Sequence, residues 1–184
     1  VTATSVTRDG GNGPDDILAF ITSRGEVAMY EGTDPDFINT WRIVGVYQIP
    51  APVGDRCIQR AGGDVAVITE GGVISLTAML VLDRAAGEKA AITSKINRLF
   101  MSDARTYRSL FGWQMVSYPR SNYVLVNIPK REGAEQYQYV MNALTGAWCR
   151  FTGLNGGVWA TYNEDLYFGG NNGTVWKADT GFQD

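Results

Sequence analysis

Histidine is absent from this chain of 184 residues. That absence removes Ser–His and Cys–His nucleophile pairs, imidazole metal ligands and the usual general base near neutral pH. Cysteine is scarce. Cys57 and Cys149 stand far apart in the chain, and two lone thiols do not supply the set of about four ligands, with close pairs among them, that zinc wants. They read as single, reduced, buried cysteines suited to a cytosolic assembly environment. No apolar run is long enough to cross a bilayer, and no signal-peptide pattern opens the chain. An excess of positive charge is also lacking. The formal net charge is −3, so a broad basic face gripping DNA through its phosphates is not expected.

What is present is the composition of a globular β protein. Hydrophobic residues make up 45% and charged residues 19%, which separates the chain from disordered sequences. The 22 glycines, spread among Val, Ile, Tyr and Trp, suit short strands joined by tight turns. The length fits one core, so residues 1–184 are read as a single domain. The chain opens on Val1 and stops at Asp184, shortly after Thr180-Gly181. Both ends read as cuts in a longer protein.

One pattern recurs: a short apolar run, a polar-Gly corner, then alternating residues. Its copies are Asp16–Tyr30, with the corner at Gly25; Asp64–Leu76, with the corner at Gly71-Gly72; and Asp165–Lys177, with the corner Asn172-Gly173. A weaker copy runs from Ser121 to Ile128 and on through Tyr137–Asn142, followed by Thr145-Gly146 and Trp148–Phe151. Each copy reads as a β-hairpin with φ > 0 at a turn glycine. The first two starts, 16 and 64, and the third, 165, fit about four units at a period near 50, where propeller blades sit. The expected fold is therefore all-β: a β-propeller or propeller-like arc of about four four-stranded blades, with one short inserted helix. Single sheets cannot bury both faces, so blades stack about an axis. A closed ring of four and an open arc of a larger ring both stay open. An arc leaves apolar faces and strand edges bare and predicts self-association.

The helix is expected between Gly87 and Arg108, as an insertion between blades. Ile92, Ile96, Leu99 and Phe100 recur at helical spacing, with Thr93 or Ser94 as the cap. Arg98, Arg105 and Arg108 form a local basic cluster, and Lys130-Arg131 a second. Either reads as a solvated face, with weak DNA contact through Arg98, Arg105 and Arg108 as the sharper alternative.

Candidate sites are thin. The loop Asp9–Asp16 is Gly-rich, but Pro14-Asp15-Asp16 stands where a P-loop needs Lys and Ser or Thr, and the acidic spacing does not fit a calcium loop. Asp34 and Asp36 flank Pro35 and suit capping of the turn that follows, with metal binding as the alternative. A glycosidase needs paired carboxylates near aromatic platforms. Asp34, Asp36, Glu164 and Asp165 are available, but nothing in the spacing pairs them. The tryptophans Trp41, Trp113, Trp148, Trp159 and Trp176 read as blade core rather than sugar platforms. The residues expected to matter are structural: turn glycines Gly25, Gly71, Gly146 and Gly173, and blade aromatics Trp41, Trp148 and Trp176. No catalytic residue, cofactor or metal site is expected.

Long phrases carry a resemblance. Phe20–Pro35, Trp41–Tyr47, Pro52–Cys57, Phe111–Met115, Tyr139–Gly153, Leu166–Gly170 and Val175–Gly181 are similar to a family of bacteriophage and prophage structural proteins, over most of the chain. The resemblance implies a virion component of the tail or head–tail connector, with a propeller-like body and no catalytic residues to carry over. It implies assembly in the bacterial host cytoplasm, partners among other virion proteins, and a homo-oligomer. A carbohydrate-binding or glycan-cleaving propeller that contacts the host surface is the rival reading.

Overall fold

A computed structural model of the chain describes residues 2–9, 14–37, 39–61, 63–81, 91–131 and 134–180. The chain divides into two compact units, Val1–Val53 with Arg60–Met101, and Gly54–Gln59 with Ser102–Asp184. The described residues are mostly strand, arranged as four antiparallel sheets. No membrane-long apolar helix occurs among them.

In the first unit, β1 (Thr2–Asp9), β2 (Pro14–Ile21), β3 (Glu26–Gly32) and β4 (Trp41–Gln48) lie side by side in chain order. Successive residues of a strand face opposite ways. Ile17, Ala19 and Ile21 of β2 and Val27 and Met29 of β3 are accordingly buried. The β2–β3 corner needs glycine. Gly25 has φ +85° and a Cβ there would lie 2.2 Å from the Ile49 carbonyl oxygen. Gly173, at the last hairpin, has φ +77° with nothing near a Cβ. Gly25→Ala should therefore cost roughly 2 kcal/mol and Gly173→Ala about 1. Equal losses in urea titrations would contradict this steric account. Val44 is the extra residue where the β3–β4 register shifts. β4 is an edge strand with Ile43, Val44 and Val46 exposed.

The next sheet is β5 (Ile58–Ala61), β6 (Asp64–Thr69) and β7 (Gly72–Ser75). β6 is buried throughout Val65–Thr69, as its unbroken apolar run suggests. β7 passes directly into α1 (Leu76–Val81), a helix not read from the sequence. Ser75 caps it, its Oγ accepting from the Ala78 N–H at 3.0 Å. The positive φ of the β6–β7 corner falls on Gly72, at +129°, while its neighbour Gly71 lies in the same turn.

The expected helix is present. A 3-10 turn over Ser94–Ile96 leads into α2 (Asn97–Tyr107); positions 87–90 of the expected span lie outside the described residues. Phe100 and Ala104 are buried one turn apart, and Leu99 is exposed. Thr93 makes no side-chain cap. It is buried, and its Oγ1 accepts from the Val73 N–H at 3.0 Å. A hydroxyl that has a buried strand donor to satisfy is not free to cap.

In the second unit, β8 (Gln114–Tyr118), β9 (Tyr123–Ile128), β10 (Tyr137–Asn142) and β11 (Trp148–Thr152) form one sheet. β12 (Gly156–Tyr162), β13 (Asp165–Gly170) and β14 (Val175–Lys177) form the other. Val116, Tyr118, Leu125 and Val140 of the first pack with Trp159, Leu166 and Phe168 of the second, and with Ala178. Gln114 joins the two sheets: its Oε1 accepts from the Trp159 N–H at 2.9 Å and its Nε2 donates to the Trp159 carbonyl at 2.6 Å.

Three copies of the repeat, β2–β3, β6–β7 and β13–β14, are the second and third strands of their sheets. The weaker copy runs over β9–β11, and its Gly146 corner joins the third and fourth strands, β10 and β11. Two sheets have four strands; the other two have three among the described residues, short of the four expected of every unit.

The tryptophans require a correction. Trp113 and Trp159 are the fully buried pair. Trp41, Trp148 and Trp176 sit on β4, β11 and β14, the last strands of their sheets, and each keeps solvent exposure. An edge strand has a neighbour on one side only, so its aromatics are incompletely covered. Trp41 stacks on Tyr30 at 5.8 Å. The cysteines are corrected too: both are free, but only Cys57 is buried, and Cys149 is exposed on β11.

Candidate functional site

The acidic candidates are occupied by local structure. Asp34 Oδ1 accepts from the Asp36 N–H at 3.0 Å, which is the turn-capping role. Asp165 pairs with Lys177 and, at 2.7 Å, with Arg120. Lys177 above all holds its carboxyl below the usual range. Glu164 sits beside it in the β12–β13 turn at φ +66°. Asp34 and Asp36 belong to the first unit, Glu164 and Asp165 to the second.

The basic candidates diverge. Arg98 and Arg105 are exposed on α2 and Arg108 in the turn after it. Lys130 stands over the rings of Tyr107 and Tyr137, at 3.8 and 4.5 Å from their centroids, a cation–π arrangement. Tyr139 Oη donates to Asp103 Oδ2 at 2.7 Å. Burial, then the Asp103 carboxylate, pushes the Tyr139 phenol up to about 12, and the same causes push Tyr137 up further. Both phenols stay protonated in the neutral range.

The thiols differ in reactivity. Burial raises the Cys57 pKa, and the thiolate is the reactive form. Under native conditions a thiol reagent should label Cys149 alone, with Cys57 reacting after denaturation. Mass spectrometry of tryptic peptides checks this, and native labelling of Cys57 would overturn it.

The cleft of interest lies in the second unit and has a volume of about 550 Å3. Asn155, Asn171, Asn172, Glu135, Phe168 and Trp176 line it. Phe168 forms an apolar floor, with Trp159 packed behind it at 4.9 Å. Trp176, half exposed on β14, offers its indole at the side. Gly170 permits this approach, because a Cβ there would lie 3.2 Å from Trp176 Nε1 and 2.9 Å from Asn172 Oδ1.

Behind the cleft runs a relay of buried carboxamides. Asn127 and Gln138 are fully buried, and Gln136 is 5% exposed. Asn127 Nδ2 donates to the Gly112 carbonyl at 2.8 Å and to Gln136 Oε1 at 3.3 Å. Gln138 Nε2 donates to Asn127 Oδ1 and to the Leu154 carbonyl, both at 2.9 Å. Gln136 Nε2 donates onward to Asn171 Oδ1 at 3.4 Å. Burying so many polar groups is costly unless they satisfy one another. One atom, Gln138 Oε1, has no partner among the described residues.

No family model matches the chain, and no curated protein does. The reading of the site rests on its own geometry.

Sequence reasoning reached Trp176 but missed Glu135, Asn155, Asn171 and the relay behind them; it met Asn172 only as a turn residue. The available signal was modest. Asn127 and Gln138 are register partners across β9 and β10, and the tract Asn171-Asn172 follows an apolar strand.

Proposed function

We propose that the chain is a non-enzymatic structural protein of a bacteriophage virion, a tail or head–tail connector component that acts through protein–protein assembly. The repeated hairpin carries this reading: it forms the second and third strands in three of the four meandering sheets and recurs in weaker form in the fourth. Such sheets are the units of a propeller or of an open propeller arc. The long sequence phrases similar to phage structural proteins point the same way. Edge strands are sites for pairing with further chains, and β4 leaves Ile43, Val44 and Val46 exposed. The partners in this reading are copies of the chain and other virion proteins, met in the host cytoplasm during assembly. Weak DNA contact through Arg98, Arg105 and Arg108 belongs to the same proposal.

Light scattering tests it. The purified chain should form oligomers, and Ile43→Lys with Val46→Lys should shift them toward monomer. A clean monomer at working concentrations would end the arc version.

The cleft favours a second reading, the carbohydrate-binding form of a propeller that contacts a host surface. Its glycan-cleaving form needs a carboxylate pair, whereas Glu135 is the one carboxylate among the described lining residues.

A further inference from the structure

The orientation of the cleft carboxamides is fixed by their partners. Backbone N–H groups only donate and backbone carbonyls only accept. Asn155 Oδ1 accepts from the Gln136 N–H at 2.8 Å, and Asn172 Oδ1 from the Thr174 N–H at 3.1 Å. Both side chains must therefore present oxygen to the protein and Nδ2 away from that contact. Asn171 is set at longer range. The carbonyls of Gly112 and Leu154 require the amide nitrogens of Asn127 and Gln138. That leaves Asn127 Nδ2 for Gln136 Oε1, turns Gln136 Nε2 to Asn171 Oδ1, and sends Asn171 Nδ2 outward. Among the described residues, no hydrogen bond engages any of the three outward amide nitrogens. The lining thus combines three oriented donors, one acceptor in Glu135, an apolar floor in Phe168 and an indole in Trp176.

A ligand for this cleft must bring acceptor oxygens, an apolar face for the indole and few negative charges beside Glu135. Phosphates and nucleic acids fail the last condition. We propose that the cleft is a binding site for a neutral oligosaccharide bearing acetamido groups. An acetamido carbonyl is an acceptor with no proton of its own to place, so it matches an NH2 lining better than a hydroxyl does. Its methyl group packs on Phe168, the sugar ring stacks on Trp176, and ring hydroxyls donate to Glu135. A volume near 550 Å3 falls in the range of small-ligand clefts. The proposal deepens the carbohydrate-binding reading, rests on it, and is independent of any assembly role.

The test uses the full chain, triacetylchitotriose as probe and cellotriose, which has the same linkage without acetamido groups, as comparison. Titration calorimetry and tryptophan fluorescence should show saturable binding of the acetylated sugar, with cellotriose roughly tenfold weaker or worse. Asn171→Asp replaces an outward donor by an acceptor at constant shape and should weaken binding roughly tenfold. Trp176→Ala should do at least as much and remove the fluorescence response. Circular dichroism and the urea midpoint establish that each variant is folded. Equal binding of both sugars overturns the acetamido assignment and leaves carbohydrate binding standing. No binding of either at about 10 mM overturns both. Unchanged binding by folded Asn171→Asp and Trp176→Ala overturns the assignment of the site.

Discussion

Trp159→Ala should lower the stability of the second unit by about 3–5 kcal/mol. The side chain is fully buried, packs on Phe168 at 4.9 Å and donates through Nε1 to the Gly156 carbonyl at 3.3 Å. A buried tryptophan removes about 200 Å2 from water, which at about 25 cal/mol per Å2 is about 5 kcal/mol. The backbone of residue 159 keeps its two bonds to Gln114 in the variant, so the loss reports the side chain alone: its packing together with its bond to the Gly156 carbonyl. A domain of this kind has about 5–15 kcal/mol in all, so the change takes a large share of it. Phe168, the floor of the cleft, loses its support at the same time, and binding to the cleft should weaken with stability. Urea unfolding followed by circular dichroism measures the first effect. A loss below about 1 kcal/mol would mean that neighbours close the gap and that Trp159 is not central to this core.

The repeat was legible because hairpins announce themselves locally. An apolar run, a turn glycine and an alternating return need no knowledge of the rest of the chain. Asn172-Gly173 is such a corner, and Gly173 does adopt φ +77°. What a local pattern does not carry is place within a sheet. Trp41 and Trp148 look like core residues, yet each opens the fourth strand of its sheet and stays partly exposed. Trp159, flanked by Val158 and Ala160 in a less regular stretch, holds the core position. The helix α1 was hidden for a related reason. Leu76–Val81 is an apolar run that continues a strand without a break, and its cap, Ser75, belongs to that strand.

The site was less legible than the fold. Gln138 lies between Tyr137 and Tyr139, and Asn127 between Val126 and Ile128, so alternation suggests that the amides face water. The sheet instead buries both faces: Leu125 and Val140 on one, Val126 and Ile128 on the other. Polar residues in such strands point into protein and must find partners there. Those partners, Gly112, Leu154 and Gln136, come from three separate stretches. Only folding brings them together, so no spacing rule finds the relay.

Asp64→Ala should cost about 3 kcal/mol at neutral pH, because four bonds converge on this one carboxylate. Oδ1 accepts from the Val65 N–H at 2.7 Å, the Thr77 N–H at 3.1 Å and Thr77 Oγ1 at 2.7 Å, and Oδ2 accepts from Ser75 Oγ. Asp64 thereby ties the start of β6 to the end of β7 and the first turn of α1. Partial burial works to raise its pKa, but the bonds from Ser75, Thr77 and Val65 together outweigh it and leave the group below the ordinary value. The sign follows. A depressed folded pKa contributes stability that is present above the unfolded value, about 3.9, and is lost as pH falls through the folded one. The gap between wild type and Asp64→Ala should therefore narrow on acidification below about pH 4. Asp64→Asn separates charge from geometry. Its Oδ1 can keep the three bonds that Oδ1 makes, and its Nδ2 can donate to Ser75 Oγ, so it should cost about 1 kcal/mol and flatten the acid limb. Urea midpoints for the three proteins at neutral pH and near pH 3 decide the matter. If Asp64→Asn loses as much as Asp64→Ala, or if the gap fails to narrow in acid, the carboxylate is not the anchor of this hairpin and helix.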